Sequence, residues 1–152
     1  MLEIKANQEL YIEKLLSFRG ELRQSEVESV AKDMQAYIKN AGAKLVGAPI
    51  TTTFAIKTDM LDIEMLMPVD GIIASTSEYR FKDEIKITNA VVASYKGHPT
   101  GLQDACNKLN KYMEDHKLQP ITTGYNVTLK TDASNLENTE IDVYVGINPN
   151  IL

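Results

Sequence analysis

The stretch Pro49-Ile50-Thr51-Thr52-Thr53-Phe54 returns later in the chain as Pro120-Ile121-Thr122-Thr123-Gly124-Tyr125, with four identical positions and one exchange of aromatic residues. The similarity continues upstream, where Leu16-Ser17-Phe18-Arg19-Gly20 parallels Ala93-Ser94-Tyr95-Lys96-Gly97. Internal similarity of this kind is the sequence signature of a repeated structural unit. Two copies are too few for a solenoid, so we predict a pseudo-symmetric single domain over residues 1–152. Its predicted parts are repeat 1 at about 9–70, a linker at 71–84 and repeat 2 at about 86–150.

Each half reads as strand, helix, strand, strand. Apolar residues recur at spacings of three and four from Val27 to Ala41 and from Leu102 to Met113, which is typical of amphipathic helices. Ser25 with Glu28, and Thr100 with Gln103, are the predicted helix-capping pairs. Runs rich in β-branched and aromatic residues predict the strands 10–18, 51–57, 62–67, 90–95, 125–131 and 141–147. The predicted fold class is α+β, a tandem β-α-β-β repeat that forms an antiparallel sheet with two helices on one face and a cleft between the halves.

Strand alternation selects the side chains that face away from the helices. Ile63, Met65 and Met67 share one face of their strand, so Glu64 and Leu66 lie on the other. The same argument in the second half selects Asp142 and Tyr144, with Tyr125 and Tyr95 at matching places nearby. The predicted ligand-binding residues are therefore Glu64, Leu66, Tyr95, Tyr125, Asp142 and Tyr144. Solvated strand carboxylates on an exposed face are the competing interpretation of Glu64 and Asp142.

The charge balance argues against a nucleic-acid partner. The chain has 152 residues, with 16 Lys and Arg against 21 Asp and Glu and a net charge of −5. The lysines are scattered, whereas a nucleic-acid binder needs a basic face that neutralises phosphates. No apolar run approaches the roughly 20 residues of a membrane helix, and residues 1–8 do not read as a secretory signal. We expect a cytoplasmic protein without direct contact to nucleic acid or membrane.

Motifs of common enzyme classes are missing from the sequence. It has no GxSxG, GxxxxGK[ST] or HExxH pattern. His98, Cys106 and His116 do not have the spacing of a zinc site, and Cys106 lies on the predicted apolar helix face. We therefore predict no catalytic residue, no metal and no cofactor, and favour a non-enzymatic protein.

Two segments carry a resemblance to a known family. The run Ala93-Ser94-Tyr95-Lys96-Gly97-His98-Pro99-Thr100, followed by the amphipathic segment 102–113, resembles the second repeat of the GyrI-like small-molecule-binding domains. These are the effector-binding domains of many AraC-type and MerR-type multidrug-responsive regulators. The family's closing strand is similar to Asp142-Val143-Tyr144-Val145, where Gly146 replaces a proline that the first half keeps as Pro68.

The resemblance implies a ligand cleft between two β-α-β-β halves, in which an acidic side chain pairs with a lipophilic cation or a polar group and aromatic rings stack on the ligand. A stand-alone binding module for lipophilic or cationic small molecules is the favoured function. A protein partner bound in the same groove is the first alternative. The second is a GyrI-like hydrolase of electrophilic small molecules, in which Glu64 or Asp142 with Tyr144 would direct water.

Overall fold

A computed structural model describes residues 2–150, and the described residues form six strands and two α-helices. The predicted α+β class is confirmed. In chain order the elements are β1 Leu2–Leu22, α1 Val27–Asn40, β2 Ile50–Lys57, β3 Met60–Pro68, β4 Arg80–Lys96, α2 Leu102–Asp115, β5 Tyr125–Lys130 and β6 Glu140–Gly146. No helix among these residues combines the length and apolarity needed to cross a bilayer.

The chain divides into two compact units. The central unit comprises Tyr11–Ile85, and the terminal unit comprises the residues up to Leu10 together with those from Lys86 onward. The central unit therefore holds α1, β2 and β3, and the terminal unit holds α2, β5 and β6. The assignment of 1–152 to one domain stays a prediction.

In the central unit, β3 pairs antiparallel with both β1 and β2. The alternation predicted for β3 is confirmed, because Ile63, Met65 and Met67 belong to the core cluster that also contains Met34 and Ile38 of α1. Each of these side chains is at most 4% exposed. Burial of one such side chain stabilises the fold by about 1.5–3 kcal/mol, so this core fixes which face of β3 turns away from α1.

The terminal unit has β6 paired antiparallel with both β4 and β5. Its core joins Leu109 and Met113 of α2 to Ile141, Val143 and Val145 of β6. The helix stripe and the strand alternation predicted for this half are therefore also confirmed. Asp142 and Tyr144 alternate with these core residues along β6.

The strands β1 and β4 are much longer than predicted. β1 begins at Leu2 and ends at Leu22, and β4 begins at Arg80. Residues 80–84, expected in the linker, are consequently part of a strand. The sequence pattern hid this extension because polar residues interrupt the apolar ones there, as in Lys82-Asp83-Glu84.

Both predicted helix caps are wrong. Each helix is preceded by a 3-10 turn, Gln24–Glu26 or Pro99–Gly101, and the chain is capped at the start of that turn. The backbone N–H of Arg23 donates to the Glu26 carboxylate at 2.9 Å, and His98 Nδ1 accepts from the backbone N–H of Thr100 at 3.2 Å. The predicted stop is confirmed, since α1 ends at Asn40 and Gly42 adopts φ +78°.

The repeated stretch occupies different positions in the two units. Thr52 and Thr53 lie within β2, opposite Glu64 and Ile63 of β3. Thr122 instead precedes β5, and its hydroxyl accepts the backbone N–H of Gly146 at 2.9 Å. The two copies of the repeated stretch therefore differ in their positions relative to the first strand of each hairpin.

Candidate functional site

The central unit contains a half-open cavity of about 510 Å³. β1 and β3 contribute Ser17, Arg19 and Glu64 to its wall. The remaining lining comes from the segment before β4 and from the start of that strand: Ser75, Thr76, Ser77, Glu78, Tyr79, Arg80 and Lys82.

Glu64 is the buried acid of this cavity. It lies on the face of β3 opposite the α1 core and is 5% exposed. The Ser17 hydroxyl donates to Glu64 Oε2 at 2.5 Å, and Lys82 Nζ lies 2.6 Å from the same oxygen. Glu64 is therefore not a solvated strand residue, and the competing interpretation is wrong for this carboxylate.

Burying a carboxylate is costly unless hydrogen bonds and an opposite charge compensate for the lost water. Ser17 supplies a short charge-assisted hydrogen bond of the kind that is stronger than a neutral one. Lys82 supplies the opposite charge. The two partners differ in accessibility, because Ser17 is 3% exposed whereas the Lys82 side chain is 32% exposed. Ser17 is thus fixed within the sheet, and Lys82 reaches the carboxylate from the solvent side.

Tyr79 borders the cavity, but its ring is packed into the α1 core and the residue is only 6% exposed. Its ring meets Phe18 edge-on with centroids 6.4 Å apart, and it lies 4.8 Å from the ring of Tyr37. The turn before it is closed by the Thr76 hydroxyl, which accepts the backbone N–H of Tyr79 at 2.9 Å. Burial is the main cause that raises the pKa of the Tyr79 phenol above its ordinary value.

Arg19 forms the rim. Its Nε and Nη2 each donate to the Asp62 carboxylate at 3.1 Å, and its guanidinium lies 3.8 Å from the centroid of the Phe54 ring. The hydrogen bonds from Arg19 hold the pKa of Asp62 below its usual value. A planar guanidinium that is forked to a carboxylate and stacked on a ring is well oriented.

Two predicted ligand residues have other surroundings. Leu66 is fully buried and borders a separate cavity of about 290 Å³ beside α1. The Tyr95 hydroxyl donates to the backbone carbonyl of His98 at 2.6 Å. Tyr95 lies opposite Ile141, a core residue of the terminal unit. This tyrosine thus fixes the turn that leads into α2.

The other three lie together in the terminal unit. Tyr125 is opposite Tyr144, and Asp142 is opposite both Val127 and Ser94. Asp142, Tyr144 and Tyr125 are all half-buried. Burial raises the pKa of the Tyr144 phenol, and the charge of Asp142 raises it further. Their role as ligand contacts stays a prediction.

Sequence reasoning missed Ser17, Lys82 and Tyr79. A signal for Ser17 was present, because it interrupts the apolar run Leu15-Leu16-Ser17-Phe18 on a strand. Lys82 and Tyr79 lay in the segment that was expected to be a linker, and no local pattern places a linker residue beside a particular strand. Within residues 2–150, no three His, Cys, Asp or Glu side chains are grouped as a metal site would require.

No protein-family model and no curated protein matches the chain. Among solved structures, the chain resembles EcmrR in its DNA complex, with a TM-score of 0.78, 17% identity and coverage of 97% of this chain. It spans 57% of the length of that EcmrR chain.

The crystal structure of the EcmrR C-terminal domain gives a TM-score of 0.72 at 14% identity, over 95% of this chain and 98% of that domain. SAV2435 bound to tetraphenylphosphonium gives 0.54 at 8% identity, over 98% and 94% of the respective chains. The chain therefore shares the fold of the EcmrR C-terminal domain.

Proposed function

We propose that this protein is a small-molecule-binding module whose ligand enters the cavity of the central unit and places a cationic or hydrogen-bond-donating group against Glu64. The main support for this proposal is that Glu64 is only 5% exposed and lies in the wall of a cavity of about 510 Å³. A side chain that is expensive to bury and opens onto a cavity is a candidate binding group.

The size of the cavity favours a drug-sized ligand. Ligand pockets generally have volumes of about 300–1,000 Å³ and a few well-placed polar groups. In this cavity Glu64 provides the buried charge, and serine, threonine and charged side chains make up most of the remaining lining.

The structural comparisons support the same class of ligand. SAV2435, which shares the fold, was solved with tetraphenylphosphonium, a lipophilic cation. We extend that ligand chemistry to this chain as a proposal, with Asp142, Tyr144 and Tyr125 of the terminal unit as further candidate contacts. Leu66 and Tyr95 are assigned structural roles here.

We further infer an internal duplication of one β-α-β-β segment. In each unit a 3-10 turn leads into a helix of similar length, at Val27 and at Leu102. The second strand of the hairpin, β3 or β6, then pairs with the strand before the helix and with the first strand of the hairpin. This shared order supports the inference, although the repeated stretch has different positions in the two units.

The test is isothermal titration calorimetry with tetraphenylphosphonium and with tetraphenylborate, its counterpart of similar shape and opposite charge. We expect the wild type to bind the cation more tightly than the anion. Glu64→Gln should weaken cation binding by about tenfold, which corresponds to about 1.4 kcal/mol. This is the scale expected for a partly solvated charge pair.

Glu21→Gln is the matched control. Glu21 is also paired with a lysine of the central unit, Lys57, but it does not line the cavity. Glu21→Gln should leave the affinity for tetraphenylphosphonium unchanged. Equal affinities of the wild type and Glu64→Gln, or no binding at millimolar concentration, would contradict the proposed function.

A further inference from the structure

We propose that Lys82 is a built-in substitute for the ligand: its ammonium occupies the cation position at Glu64 in the empty protein, and a cationic ligand binds by replacing it. This inference rests on the proposed function of the Glu64 cavity. It adds a competition within the protein that sets the affinity and the selectivity of the site.

The geometry of the Glu64 cluster distinguishes a fixed partner from an exchangeable one. Ser17 and Glu64 lie on paired strands of the same sheet and are both at most 5% exposed. Lys82 reaches the same carboxylate oxygen at 2.6 Å, but about a third of its side chain is exposed. A lysine has a long flexible stem and a strongly hydrated head. Its ammonium can therefore return to water without any change in the sheet.

The charges around the cavity favour such an exchange. Arg80 and Lys82 line it together with the carboxylates of Glu64 and Glu78, and the charge of Arg19 is compensated by Asp62. A cationic ligand that entered while Lys82 stayed in place would meet a Glu64 that is already neutralised. If Lys82 leaves, the buried carboxylate exchanges one countercharge for another, and the lysine regains its water.

Exchange also gives a reason for lipophilic selectivity. A small hydrated ion that replaces Lys82 must lose its own water and gains little in return. A lipophilic cation is weakly hydrated and removes its own apolar surface from water when it enters the cavity, so it has a favourable contribution that the lysine lacks. A cation therefore occupies the site only if its interactions there are more favourable than those of Lys82.

Calorimetric titration of tetraphenylphosphonium into the full-length wild type, Lys82→Met and Lys57→Met tests this proposal. Methionine keeps the approximate length of the lysine stem and removes the charge. Lys82→Met should bind the cation at least about tenfold more tightly, because its Glu64 has no internal countercharge to displace. Lys57, which pairs with Glu21 at 2.5 Å and does not line the cavity, is the matched control and should show no gain.

A double-mutant cycle separates exchange from a general charge effect. The gain from Lys82→Met should vanish in the Glu64→Gln background, because no carboxylate is left for the two cations to share. Lys82→Arg keeps the charge and should give no gain in affinity for tetraphenylphosphonium. This variant also provides a folded comparison if Lys82→Met is unstable.

The two proposals fail differently. If the wild type binds tetraphenylphosphonium through Glu64 and Lys82→Met binds it equally or more weakly, the exchange is refuted and the proposed function stands. A gain that persists without Glu64, or that Lys82→Arg also shows, refutes the exchange as well. If neither the wild type nor Lys82→Met binds the cation, both proposals fall.

Discussion

Replacing Ser17 by alanine removes the fixed partner of Glu64 and should destabilise the protein by about 2 kcal/mol. Ser17 is 3% exposed, and its hydroxyl donates to the carboxylate at 2.5 Å. A hydrogen bond to a charged group contributes about 1.5–3 kcal/mol. We choose the lower part of this range because Lys82 still lies 2.6 Å from Glu64 and the cavity is open to water. Loss of one oxygen leaves little empty volume, so a cavity cost adds almost nothing.

Urea unfolding followed by circular dichroism measures this difference, with Ser94→Ala as the control. Ser94 occupies the corresponding place in the repeated sequence but is only half-buried. Across the described residues 2–150 its hydroxyl makes no hydrogen bond. Ser94→Ala should change the free energy of unfolding by less than about 0.5 kcal/mol. A change of about 2 kcal/mol corresponds to a Tm lower by about 4–8 °C at this chain length. If Ser17→Ala were as stable as the wild type, Ser17 would not be what offsets the burial of Glu64.

Two further predictions concern the terminal unit. Gly101→Ala should destabilise the protein by about 2–3 kcal/mol in urea unfolding. The added Cβ would overlap the Tyr95 hydroxyl and break its hydrogen bond to the His98 carbonyl. Tyr95→Phe in the Gly101→Ala background should recover part of this loss, and no recovery would contradict the overlap. Burial, and then the charge of Asp142, raise the pKa of Tyr144 in the folded protein. The neutral phenol therefore stabilises the fold at every pH below the ordinary tyrosine pKa. This contribution disappears as the pH rises through the raised pKa of the folded state. Asp142→Asn should lower the Tyr144 pKa while burial still keeps it above normal, as followed by the ultraviolet absorbance of tyrosinate, and an unchanged pKa would refute the contribution of Asp142.

Periodicity was sufficient to predict the faces of the strands. Ile63, Met65 and Met67 alternate with Glu64 in the sequence, and burial of the three apolar side chains under α1 turns Glu64 to the other face. This prediction holds because alternation on a strand is a local geometric property. The sequence alone therefore identified the acid of the candidate site.

The partners of Glu64 depend on contacts between distant parts of the chain. Lys82 follows Glu64 across a segment without regular secondary structure, and it sits in a polar stretch that resembles many solvated ones. Its position is set by the pairing of long strands, which local propensity does not encode. Helix capping failed for a related reason, because the 3-10 turns Gln24–Glu26 and Pro99–Gly101 moved the capping positions upstream of Ser25 and Thr100.

The energetic cost of Glu64 is the strongest reason to assign it a function. Replacing a buried ion pair by apolar residues of similar volume is often neutral or stabilising. An apolar residue at position 64 would lie beside the fully buried Leu66 on the same strand face without any need for a countercharge. The carboxylate instead requires Ser17 as a fixed donor and Lys82 as a counter-ion, and it faces a cavity rather than the core. Stability alone gives no reason for such an arrangement, whereas recognition of a cation gives a reason for each part of it. In the function that we propose, Glu64 provides the charge, Ser17 orients it, the cavity admits the ligand, and Lys82 keeps the charge compensated until the ligand arrives.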